Sequence, residues 1–116
     1  MNTLTFKEVY DYILDNKLYR DPTLTPSRLA HKLKMSTADL KKLCVDYCGN
    51  DFTLFVTELR VKEAKRMIEE SCYSGFSIDA IGRMAGFNSK NEFVTSFKEL
   101  VGRMPCDYKA SYKYIF

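Results

Sequence analysis

Residues 77–102 read SIDAIGRMAGFNSKNEFVTSFKELVG, and their order decides the fold. Ser77 is a helix N-cap, and Ile78, Ile81 and Ala85 follow at helical spacing, so the stretch opens with a short amphipathic helix. Gly86 breaks that helix. Ser89, with Glu92 three positions on, forms a capping box for a longer helix that buries Phe93, Phe97 and Leu100 and stops at Gly102. A short helix, a tight turn and a longer amphipathic helix make a helix-turn-helix unit.

The same pattern stands upstream. Thr25 caps a helix with Pro26 at its first position, and Leu29, Ala30 and Leu33 face inward. Ser36, with Asp39 reaching back, caps a second helix whose inner stripe is Leu40, Leu43, Cys44 and Tyr47 and whose stop is Gly49. Leu29, Ala30 and Leu33 recur 52 residues later as Ile81, Gly82 and Ala85, whereas Ser36, Leu40, Cys44 and Gly49 recur 53 residues later as Ser89, Phe93, Phe97 and Gly102. The one-residue difference falls in the turn, where an insertion disturbs least.

Around these repeats the apolar spacing predicts helix almost everywhere. A first helix follows the Thr5/Glu8 capping box, shows Phe6, Val9, Tyr10, Ile13 and Leu14 on one face, and ends near Asn16. A long helix over residues 52–70, capped by Asp51, carries the stripe Phe55, Val56, Leu59, Ala64, Met67 and Ile68. A last helix starts at Pro105 with Tyr108 and Tyr112 on one side, and the final residues dock or fray. The expected fold is all-α, with seven helices in two homeodomain-like helix-turn-helix subdomains. The boundaries expected are 1–50 for the first subdomain, 51–71 for a linking helix and 72–116 for the second.

Composition narrows the function. A chain of 116 residues, 46% hydrophobic and 28% charged, has a packed core and a solvated surface but no room for a separate catalytic or sensory domain. No apolar run approaches the roughly 20 residues a membrane span needs, and the N-terminus lacks a secretion signal, so a cytoplasmic protein is expected. The net charge of +3 permits a polyanionic partner without demanding one. Cys44, Cys48, Cys72 and Cys106 contain no CxxC pair, and the sole histidine, His31, lies far from them in sequence, so neither a metal site nor a cofactor is expected. No nucleophile and general base can be assembled around His31, and no enzyme activity is expected.

The faces opposite the core stripes carry the chemistry. On the first unit's second helix these are Ala38, Lys41, Lys42 and Val45, with Ser36 at the start; the lysines suit guanine edges or phosphates. On its counterpart they are Asn91, Val94, Thr95 and Lys98, with Ser89 and Lys90 at the start, where the helix dipole favours phosphate and Asn91 matches adenine. In a helix-turn-helix the second helix enters the major groove. The 19 residues from 52 to 70 make a helix of about 28 Å at 1.5 Å per residue, near the roughly 34 Å between successive grooves, so one chain is expected to read two half-sites of double-stranded DNA as a monomer. Any single exposed lysine is as well explained as a solvated helix face, and Asp46 adds negative charge beside the first reading face. The competing reading is a helix-turn-helix scaffold for protein association, a module that modulates a larger regulator.

The stretch IDAIGRMAGFNSKNEFVTSFKELVGRMPCDYK, residues 78–109, closely resembles the second helix-turn-helix of AraC/XylS regulators. The matching positions are Ile81-Gly82, Gly86-Phe87, Phe93, Phe97-Lys98, Gly102 and Pro105, and the long helix keeps the family's arginine-alanine spacing at Arg60 and Ala64. The resemblance implies a monomeric DNA-binding domain of a transcription regulator that recruits or blocks RNA polymerase. Its base-contacting positions fall on Ala38, Lys41, Lys42, Lys90, Asn91 and Thr95. This chain departs from the pattern at Cys44, in place of an aromatic, at Val45-Asp46, in place of a usually basic pair, and at Gly82, in place of alanine. The first unit is therefore expected to be the weaker reader, and Gly82 to cost helix stability by up to about 1 kcal/mol while letting two helices approach closely.

Overall fold

In the computed structural model, which describes residues 4–49 and 51–112, helix starts are set by side chains. Thr5, Thr25, Ser36, Asp51, Ser77 and Ser89 each accept a hydrogen bond from the backbone N–H three positions on, satisfying a donor that the first helical turn leaves unpaired. They open α1 (Phe6–Asp15), α2 (Pro26–Leu33), α3 (Thr37–Cys48), α4 (Phe52–Glu69), α5 (Ile78–Ala85) and α6 (Lys90–Val101), and Pro105 opens α7 (Pro105–Ser111). Two short 3-10 turns, Leu18–Arg20 and Ser71–Tyr73, lie in the connections. Among the described residues the fold is all-α, with the seven expected helices. Among the described residues none of them is long and apolar enough to cross a membrane.

One detail of the capping differs from expectation. Glu8 returns the bond to the Thr5 N–H at 3.2 Å and completes the box on α1. At α3 and α6 only the serine half is formed, and the carboxylates of Asp39 and Glu92 stand exposed to solvent.

The chain divides into two compact units, Met1–Thr57 and Glu58–Phe116, with the division inside α4. In the first unit α1, α2 and α3 pack on one another, and Val9, Ile13, Leu29, Ala30, Leu40 and Cys44 are buried. Phe6 of α1 meets Phe55 of α4 edge-on at 5.5 Å between ring centroids. Tyr47, placed by its spacing on the inner stripe of α3, is instead 70% exposed. It lies near the end of α3 and stacks on Phe6 at 5.9 Å, covering that ring from outside.

In the second unit the expected stripe holds. Val61, Ala64, Met67 and Ile68 of α4 pack with Ile81, Ala85, Phe87, Phe93 and Phe97 in one core, and Tyr108 of α7 lies against it. Leu100 is the exception, at 46% exposed: the packed rings of α6 end with Phe97, which Tyr108 covers edge-on at 5.8 Å. Tyr108 also donates a hydrogen bond from its hydroxyl to Glu69, fastening α7 to α4. Burial first, and the Glu69 carboxylate second, push the Tyr108 hydroxyl up to about 12.

Candidate nucleic-acid interface

Both turns that present a second helix are closed by the same backbone bond. The Met35 N–H donates to the Ala30 carbonyl at 3.0 Å, and the Phe87 N–H donates to the Gly82 carbonyl at 3.1 Å. In each the residue after the first helix takes the left-handed conformation, Lys34 with φ 56° and Gly86 with φ 112°. The second turn is one residue longer, as the repeat offset predicts, and ends on Ser89 as the first ends on Ser36. The two units are thus built alike, although only one uses the residue type that adopts positive φ without steric cost.

The structure exposes every candidate residue. Ser36, Ala38, Lys41 and Lys42 of the first unit are exposed, as are Ser89, Lys90, Asn91, Thr95 and Lys98 of the second, while Leu40 and Cys44 on the back of α3, and Phe93 and Phe97 on the back of α6, are almost fully buried. Val45 is open to solvent, whereas Val94 is half-buried. The hydroxyls of Ser36 and Ser89 accept from the Asp39 and Glu92 amides at 3.1 Å each and keep a proton to donate outward.

The two faces differ in charge. Lys42 Nζ lies 2.8 Å from Asp46 Oδ2, one turn on. That hydrogen bond and the nearby negative charge hold the Lys42 ammonium above the ordinary lysine value. Lys41 makes no ion pair with a described residue. On α6 the positions of Lys42 and Asp46 are taken by Thr95 and Glu99, and Lys98 stands where α3 has Val45.

Beside the start of α6 a cleft of about 350 Å³ runs between α5 and the turn, walled by Arg83, Asn88, Ser89 and Lys90. Arg83 is held there by Asp79 at 2.8 Å. Cationic side chains beside the N-terminus of a helix of 12 residues suit an anionic oxygen. A second cleft, of about 400 Å³, is walled by Arg28, His31 and Lys32 of α2 together with Asp21. These α2 side chains escape a reading that attends only to the second helix of each unit; the signal is their i, i+3, i+4 spacing on the open face of α2.

Among the described residues Cys44, Cys48, Cys72 and Cys106 form no disulfide, and no three His, Cys, Asp or Glu side chains are placed to hold a metal ion. Burial pushes the Cys44 thiol up to about 11, with smaller contributions from Cys48 and Asp51. In the basic stretch of α4, Arg66 bridges Glu63 at 2.6 Å and Glu70 at 2.5 Å.

Two tandem helix-turn-helix units, each with its second helix open on one face, define the class. A family profile described as "Helix-turn-helix domain" matches residues 29–111, and the chain belongs to this family, in its AraC/XylS type. Among solved structures, the chain is similar to the C-terminal domain of AraT, a response regulator from Geobacillus stearothermophilus, at 22% identity and a TM-score of 0.81 over 95% of this chain and 87% of that one. It is similar to the DNA-binding domain of AdpA, a global transcriptional factor solved with a target DNA, at 23% identity and a TM-score of 0.80 over 95% and 94%. A DNA-binding transcriptional dual regulator from Escherichia coli K-12 is 25% identical, with a TM-score of 0.74 over 95% and 96%. No curated protein matches the sequence significantly.

Proposed function

We propose that the chain binds a specific double-stranded DNA sequence as a monomer, one half-site through α3 and the next through α6, and thereby regulates transcription by recruiting or blocking RNA polymerase. The observation that carries this reading is the pairing of a buried back with an open polar front on the second helix of both units, since that helix is the one a helix-turn-helix inserts in the major groove. Membership of the AraC-type family supports it independently.

In this proposal residues 1–50 and 72–116 are the two reading subdomains and 51–71 the helix that links them. Ala38, Lys41 and Lys42 face bases from α3, and Lys90, Asn91 and Thr95 from α6, with Lys98 on the same open face. Ser36 and Ser89 hold phosphates at the helix starts, where amide dipoles add to the attraction. The open front of α3 also favours a second reading: Val45 is 53% exposed and Lys42 is already paired, as suits protein association by the first unit.

Titration against a pool of genomic DNA fragments across a range of salt separates the two. Retention of particular fragments, with affinity falling steeply as salt rises, is the expected result. No retained fragment at low salt overturns the DNA reading and leaves protein association.

A further inference from the structure

The ion pair on the front of α3 has a counterpart in the base-pair edges of the major groove. Lys42 Nζ and Asp46 Oδ2 are 2.8 Å apart, with side chains 74% and 46% exposed, so the pair is presented to whatever approaches α3. A carboxylate has only acceptors, and so do phosphate oxygens, so Asp46 gains nothing from the DNA backbone and is repelled by it. In the major groove the donors it can use are the amino groups of cytosine and adenine.

The donor count on Lys42 narrows the choice. An ammonium has three N–H donors, and one is spent on Asp46. Two remain, and guanine presents two neighbouring acceptors, O6 and N7, while its cytosine partner presents the N4 amino group beside them. An A·T pair also has two acceptors, adenine N7 and thymine O4, but its amino group stands between them, so they are not side by side as in guanine. The second carboxylate oxygen, Oδ1, is the acceptor left for the cytosine amine.

We propose that Lys42 and Asp46 act as one reading unit for a G·C pair, Lys42 donating to guanine and Asp46 accepting from cytosine. This rests on the proposal that α3 enters the major groove. It makes Asp46, which charge alone marks as a liability, a specificity-determining residue of the first half-site. Thr95 and Glu99 cannot form this pair, so the device belongs to α3 and not to α6.

The test is selection of binding sites from a randomised duplex pool by the full chain, its Asp46→Ala and Asp46→Glu variants, and Lys42→Ala. The Lys42→Ala profile marks the base pair that Lys42 reads. The expected result is a G·C preference there in the wild type, weakened about tenfold by Asp46→Ala, which removes the acceptor, and largely kept by Asp46→Glu, which preserves it. Thermal unfolding of each variant checks that the fold is intact, and Asp46→Glu keeps the test informative should Asp46→Ala fail to fold. Equal tightening by Asp46→Ala on every sequence, with the preference unchanged, overturns the proposal and reduces the pair to a surface contact. A wild-type chain that selects no sequence overturns the DNA reading itself, and this inference with it.

Discussion

Gly82 of α5 lies directly under the ring of Phe93 of α6: a Cβ at position 82 would stand 2.5 Å from Phe93 Cδ2 and 2.8 Å from Cγ. Aromatic neighbours hold the ring. It is 1% exposed and is packed against Phe87 at 5.2 Å and Phe97 at 5.8 Å between centroids. Close approach of the two helices of the second unit therefore depends on the missing methyl group.

Gly82→Ala is accordingly expected to destabilise the protein, against the sign that helix propensity gives. Propensity favours alanine by about 1 kcal/mol, whereas forcing a methyl group into a filled core costs about 1 to 3 kcal/mol. The net expectation is a lower melting temperature in thermal unfolding followed by circular dichroism. An unchanged or higher melting temperature would mean that the Phe93 ring yields more easily than its packing indicates.

Tyr108 predicts an alkaline dependence of stability. Its hydroxyl titrates at about 12 in the folded chain against an ordinary value of 10.0, so between those limits the folded state holds more protons than the unfolded state. Stability must then fall as pH rises. The contribution is complete below pH 10 and disappears through about pH 12. In urea unfolding from pH 8 upward, the wild type should exceed Tyr108→Phe in stability, and the gap should narrow above pH 10. A gap that stays constant to pH 12 contradicts the assignment.

The cysteines should divide by reactivity. The thiolate is the reactive form, and the Cys44 thiol is both buried and held at about 11, while Cys72 and Cys106 are exposed. Alkylation of the native chain at pH 8, read by peptide mass spectrometry, is expected at Cys72 and Cys106, with Cys44 modified only on unfolding. Labelling of Cys44 at the rate of the exposed pair would show that α3 does not stay closed over its core.

Much of this structure is legible in the sequence because the signals are local. Ser77, Ser89, Gly86 and Gly102 each act on the backbone within one turn, and the buried stripe of α4 follows from spacing alone. Leu100 and Tyr47 are misplaced by the same reasoning, since periodicity gives a side chain's direction but not whether anything lies over it. The packed rings of α6 end with Phe97, and Tyr47 covers Phe6 from outside. The open faces were legible as the complement of the stripes. The pairing of Lys42 with Asp46, the seat of Gly82 against Phe93 and the clefts along α2 and α5 depend on side-chain positions and on neighbours distant in sequence.

The central claim is that α3 and α6 read different halves of one DNA site, and the most direct test is the base preference of Lys42→Ala and Asn91→Ala, measured position by position on the site the wild type selects. Each variant is expected to lose about 1 to 3 kcal/mol of discrimination, Lys42→Ala in one half-site and Asn91→Ala in the other, with the opposite half unaffected. Retention of the full wild-type preference by both variants would contradict the account.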